Sequence, residues 1–298
     1  MRRISILAIS ALCVFVASCN KDEKPVNNRS EASPYAISFV NAASTKAYSE
    51  NTATEVQTNG FGVACVTSEG ENIFIEKASW DSGKASYFPA NGPWFYPSEG
   101  KVSFYGVYPP SQTLSFSDGG IRLSYSQNPS EDLLAVKKTG VAATASPVAL
   151  SFDHILSLIH FAAVSDDDNA LYKVKSVSIK VPSAGIFAYG DYIWTPADGT
   201  KNESCFEGEI EVDGKVEIPS ALTFIPCNPE ITLKWDVYSP DGATLVASHE
   251  ETRTLDEALE MGEDCTVTLL FAGSDAKEMA LSIEVKPWTQ SDKEIELN

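Results

Sequence analysis

Histidine is scarce in this chain: among 298 residues there are three, His154, His160 and His249. None has a partner at metal-ligand spacing, so no metal site is expected. Basic residues are few as well. The 22 Lys and Arg face 41 Asp and Glu, a formal net charge of −19. That balance argues against a nucleic-acid partner, which wants a basic face. It suits a solvated surface that resists nonspecific association. There is no CxxC, no phosphate loop, no dinucleotide fingerprint and no Gly-x-Ser-x-Gly elbow, so no cofactor and no catalytic residue are expected. With 41 acids a pair for glycoside hydrolysis could always be nominated, and nothing singles one out. After the N-terminal apolar stretch, no run of about 18 residues could span a bilayer. Helical periodicity is scarce too. Its best candidate is residues 254–261, with Thr254 as cap, Glu257 three residues on and Gly262 as the stop.

What is present begins at the N-terminus. Met1-Arg2-Arg3 is a basic head, and residues 4–16 form an apolar core too short to cross about 30 Å of hydrocarbon. The core ends in Val16-Ala17-Ser18-Cys19, which matches the bacterial lipobox. Cleavage is expected between Ser18 and Cys19, with lipid on the Cys19 thiol; an ordinary secretory signal with an incidental cysteine is the plainer alternative. Two or three acyl chains hold a protein firmly to a membrane, where one does so only marginally. Asn20-Lys21-Asp22-Glu23-Lys24 resembles a lipoprotein surface-export signal, or is a solvated tether. Localisation at the outer membrane or cell surface follows.

Short β segments fill the rest. Residues 35–40, 61–66, 72–77, 79–88, 102–108 and 121–125 read as strands, with Asp81-Ser82-Gly83-Lys84 and Asp118-Gly119-Gly120 as turns. So do residues 159–164, 174–181, 205–212, 215–218, 231–238, 244–249, 265–271 and 279–285. Many short strands with few helices predict an all-β, sandwich-type fold. The division is a signal peptide (1–18), a lipidated tether (19–35), an N-terminal sandwich (36–150) and a C-terminal sandwich (151–298). Asp166-Asp167-Asp168-Asn169 reads as a solvated hairpin loop of the second sandwich. Cys65, Cys205, Cys227 and Cys265 allow three full pairings, and buried free thiols are as good a reading. Asp153, His154 and Ser157 lie too deep in apolar sequence to read as a catalytic set. His249 reads as exposed. Trp80, Tyr87, Phe88, Trp94, Phe95 and Tyr96 fit a core and its rim better than a sugar-stacking platform.

A set of dispersed markers carries a family resemblance through its order. They are the lipobox; Ile37-Ser38-Phe39 before Ala43-Ser44-Thr45-Lys46-Ala47; Phe61-Gly62-Val63; Trp80 with Tyr87-Phe88-Pro89; and Trp94-Phe95-Tyr96-Pro97. Then come Val102-Ser103-Phe104-Tyr105-Gly106-Val107-Tyr108-Pro109, Asp132-Leu133-Leu134-Ala135, Phe152-Asp153-His154-Ile155-Leu156-Ser157, and Leu281-Ser282-Ile283-Glu284-Val285 with Trp288. Together they resemble the fimbrillin family, lipoprotein pilin subunits of type V.

The resemblance implies two tandem transthyretin-like Greek-key β-sandwiches and a non-enzymatic role. It implies proteolytic removal of the lipidated first strand and assembly with other fimbrial subunits by strand addition. Lys46 and Arg29 are the candidate cut sites, and only a cut at Lys46 would free the first strand. The candidate donor strand is C-terminal: Met279, Leu281, Ile283 and Val285 alternate, Pro287-Trp288 breaks the run, and Ile295 and Leu297 resume it. The alternative is that these are ordinary strands of the second sandwich. Further partners are the outer membrane, through lipid on Cys19, and a host or bacterial surface ligand. A glycan-binding lipoprotein that does not polymerise, using the aromatics near Trp94, is the competing function.

Overall fold

Most of the expected strands form, and the computed structural model shows where their faces go. It describes residues 32–41, 52–165, 167–271 and 280–288. The first half holds β1 (Ala32–Ala36), β2 (Phe39–Asn41), α1 (Thr52–Asn59), β3 (Phe61–Thr67), β4 (Asn72–Asp81), β5 (Ser86–Pro89) and β6 (Phe95–Pro97). After these come β7 (Val102–Tyr108), β8 (Leu114–Ser117), β9 (Gly120–Ser126), β10 (Leu134–Val141), β11 (Val148–Leu150) and β12 (Asp153–His154). The second half holds β13 (Ser157–Ser165), β14 (Leu171–Pro182), β15 (Ala184–Ala188), β16 (Ile193–Pro196) and β17 (Thr200–Val212). It ends with β18 (Gly214–Phe224), β19 (Glu230–Tyr238), β20 (Leu245–Thr254), β21 (Glu263–Phe271) and β22 (Ala280–Pro287). The fold is all-β, and α1 is the single helix among the described residues.

An eight-stranded sheet, in the order β11-β2-β5-β4-β3-β7-β10-β12, dominates the first half. It curls on itself, because the rings of Phe39 on β2 and Phe104 on β7 meet at 5.0 Å although three strands separate them in the sheet. β3 explains its unbroken apolar sequence. Phe61, Val63 and Cys65 face the core inside the curl, while Ala64 and Val66 face a second core outside it. Strands buried on both faces lose the polar alternation.

In the second half, sheet β18-β13-β21-β22 packs on sheet β17-β14-β19-β20. Their inward residues, among them Ile159, Val177, Phe224, Trp235 and Val267, form one core. The connection through residues 167–170 therefore crosses between sheets, which corrects the expected hairpin: β13 and β14 do not pair. Asp167 ties this crossing. It accepts bonds from the Asn169 backbone N–H and side chain and from the Tyr172 hydroxyl, which hold its carboxyl below the usual carboxylate range.

A further sheet, β16-β15-β9-β8, draws two strands from each half. Ala184 to Ala188 pair with Ser126 to Arg122 in antiparallel register. The core beneath it mixes both halves: Val107, Leu123 and Tyr125 pack with Leu158, Phe187, Tyr189 and Ile225. Gln127 bridges the seam, donating to the Thr223 carbonyl at 2.7 Å and accepting from the Ile225 N–H at 3.2 Å.

Two expectations fail locally. Residues 254–261 form no helix. β20 runs on to Thr254, the Leu255 N–H donates to the Pro229 carbonyl, and Leu259 bridges Cys227. Burial of Leu255 and Leu259 in the core of the second half outweighs a weak helical pattern. The segment expected as one strand over 35–40 breaks at Ile37-Ser38, and residues 32–35, read as tether, lie in β1 or at its end.

Candidate functional site

The first described segment is a narrow strip laid over the N-terminal core. β1 pairs with β6. At the break, the Ile37 N–H donates to the Trp94 carbonyl and the Val148 N–H to the Ser38 carbonyl, each at 2.8 Å. β2 then runs parallel to β11 and matches β5 at one position, Phe39 opposite Tyr87. Ile37 and Phe39 are almost fully buried. Phe39 meets Phe61 at 6.0 Å as well as Phe104. Short ladders with two deep side chains make a strip held by its rings more than by its backbone.

The last described strand is held differently. β22 is the outer strand of its sheet and pairs only with β21. Leu281, Ile283 and Val285 stand opposite Leu269, Val267 and Cys265, so they share the core-facing side. Leu281 packs against the core of the second half, yet Ile283 and Val285 are 42% and 44% exposed. Trp288, just beyond the strand, is 3% exposed and belongs to the seam core. Its indole stacks on His154 with centroids 3.9 Å apart and planes 11° apart. His154 in turn donates from Nδ1 to Asp132 at 2.9 Å. Beside the stack is a cavity of about 240 Å³ lined by Asp153, His154, Tyr192, Met261, Gly262 and Trp288.

Ser18, Cys19, Arg29, Lys46, Met279, Ile295 and Leu297 lie outside the described residues. Ser157 does not meet a histidine. Its hydroxyl donates to the Leu259 and Glu260 carbonyls. Asp153 is exposed, and the partner of His154 is Asp132, 22 residues away in sequence. His160 faces Asp264 at 3.3 Å across the parallel β13–β21 pair. His249 is half-buried against Trp235, not exposed. Among the aromatics, Tyr87, Trp94 and Tyr96 are core residues, and the Trp94 indole N–H donates to Glu76 at 3.1 Å. Cys65, Cys205, Cys227 and Cys265 are all free thiols. The His154 stack could not be found from spacing alone, because its carboxylate, imidazole and indole come from residues 132, 154 and 288.

Fold and site together define an all-β protein of packed sheets, with β22 on the outer edge of one of them. Its family is settled by sequence: the fimbrillin-like family model matches residues 45–288, and the chain belongs to that family. The fold is shared with a fimbrial protein from Bacteroides vulgatus, at 15% identity and a TM-score of 0.62, over 85% of this chain and 99% of that one. It is also shared with a protein assigned to cell adhesion from Bacteroides uniformis, at 17% identity and a TM-score of 0.52, over 85% and 98%. The chain matches no curated protein sequence.

Proposed function

We propose that this protein is a fimbrial structural subunit or an associated surface adhesin. It is exported as a lipoprotein through Cys19 and assembled by strand exchange after its first strand is removed. Membership of the fimbrillin-like family supports the class. The observation that carries the mechanism is the strip over residues 32–41. Phe39 fills a site between Phe61 and Phe104, and the backbone of the strip pairs with β6 on one side of its break and with β11 on the other. Lys46 falls in the stretch between β2 and α1, so a cut there separates the strip from everything after it. A cut at Arg29 leaves it attached. Once the strip leaves, the Phe61 and Phe104 rings and the freed backbone of β6 and β11 form an apolar groove with unpaired donors and acceptors, which an incoming strand satisfies. In this reading residues 36–150 and 151–298 are the two sandwiches, and the cell surface is where assembly happens.

N-terminal sequencing of protein taken from cells tests the reading, together with electrophoresis of unboiled samples. A start at Ala47 and a detergent-resistant ladder are expected. A lipidated start at Cys19 with only monomer would sink strand exchange and leave a surface lipoprotein.

A further inference from the structure

β22 is held on one side along its length and by a buried ring at its end. Along the strand, one ladder to β21 and the half-buried Leu281 hold it, while Ile283 and Val285 stay largely exposed. At the end, Trp288 is buried in the seam core among residues such as Val107, Leu133 and Phe187. Its backbone N–H donates to the Gly262 carbonyl at 2.6 Å, and the Gly262 N–H donates to the Leu156 carbonyl at 2.9 Å. Gly262 has φ of +70°, a conformation that favours glycine. The ring then lies flat on His154, whose strand β12 pairs with β10 of the first half. Asp132 fixes that imidazole from the segment before β10. Every side-chain contact in this chain of three, Asp132 to His154 to Trp288, leads from the C-terminal strand into the opposite half of the molecule.

We infer that Trp288, seated on His154 and positioned through Asp132, is the anchor that keeps β22 with its own subunit. Besides its ladder and Leu281, the strand is pinned across the seam at its end. Where this meets the proposed function, on which this clause rests, chain handed to a neighbour begins after Trp288. Ile295 and Leu297 then remain donor candidates, while Leu281, Ile283 and Val285 are resident. An aromatic stacked face to face on a fixed imidazole suits this task, because stacking geometry adds orientation to burial.

Hydrogen–deuterium exchange on the full-length monomer reads the anchor without any polymer. In Trp288→Ala, amides of residues 280–287 are expected to exchange at least tenfold faster, while those of β19 and β3 keep their rates. Trp288→Phe should restore most of the protection. Asp132→Asn keeps the shape and weakens the hydrogen bond to His154, so a smaller, local rise is expected even if the alanine variant folds poorly. Unchanged exchange at 280–287 in Trp288→Ala overturns the inference. So does an equal rise in β13, β19 and β22, which would make Trp288 a general core residue. Absence of a polymer ladder from the wild-type protein, with the exchange differences intact, would instead count against strand exchange and leave the anchor standing.

Discussion

Gly60 stops α1 by turning left-handed, with φ of +74°, and its N–H closes back on the Val56 carbonyl at 2.8 Å. A Cβ there would sit 2.1 Å from the Ala78 carbonyl oxygen. Gly60→Ala therefore combines a disfavoured backbone with a backbone clash, and a loss of more than about 2 kcal/mol is expected in urea unfolding. A loss within error would mean that α1 shifts freely on β4. Buried thiols make a second residue-scale case. Burial pushes Cys205, Cys227 and Cys265 from an ordinary 9.0 up to about 12, and pushes Cys65 further in the same direction. As pH rises, the unfolded chain gives up these protons first. Their contribution is thus whole below pH 9.0 and declines from there towards about 12. The urea midpoint should fall across that window, and less steeply in Cys227→Ala. Equal slopes for the two proteins would remove the thiol from the account.

The β15–β16 hairpin shows how one element ties the halves. Tyr189 donates to the Gly106 carbonyl at 2.7 Å, Tyr192 to the Ala135 carbonyl at 3.2 Å, and Trp194 to the Ile155 carbonyl. Tyr189→Phe leaves a buried carbonyl without its donor, and a cost of about 1–3 kcal/mol is expected from thermal or urea melts. A neutral result would show that water replaces the hydroxyl. This hairpin was not legible in the sequence. Ala184-Gly185-Ile186-Phe187-Ala188 is short, and its partner β9 lies in the other half. Strands whose signal is local were legible. Asp118 and Gly119 both take positive φ, which makes the tight turn between β8 and β9 that Asp-Gly predicts. Asp81 caps its own hairpin through the Gly83 N–H at 2.9 Å. α1 left no pattern to read, since among its described side chains Val56 alone is buried. The stretch 254–261 misled for the opposite reason: its leucines, Leu255 and Leu259, are spaced for a helix and were taken up by a core. Of the candidate site, the strands were visible, and the pairing of Trp288 with His154 and Asp132 was not, because contact across more than 130 residues leaves no local trace.

At the scale of the molecule, the seam decides how the halves behave. A sheet with two strands from each half, a mixed core and the buried Gln127 bridge join the halves along the seam. Unfolding is expected as one calorimetric transition, with van't Hoff and calorimetric enthalpies in agreement. Two resolved transitions would show that each half stands alone and that the shared sheet adds little. Charge separates from this question. On β17, Glu209, shared by Lys173 and Lys175, has its carboxyl held down to about 2 by those two lysines. Pairs this exposed contribute little to stability and act mainly on solubility.

The shared sheet also bears on mechanics. A filament bends at its softest joints, and a chain of two loosely linked domains would have one joint inside every subunit. Here strands from both halves are stitched edge to edge through β9 and β15. Bending the subunit would mean shearing that ladder, so flexing would fall to the junctions between neighbours. The spacing between those junctions would then be one whole subunit, and the curvature of the fibre would be set by assembly, not by the fold.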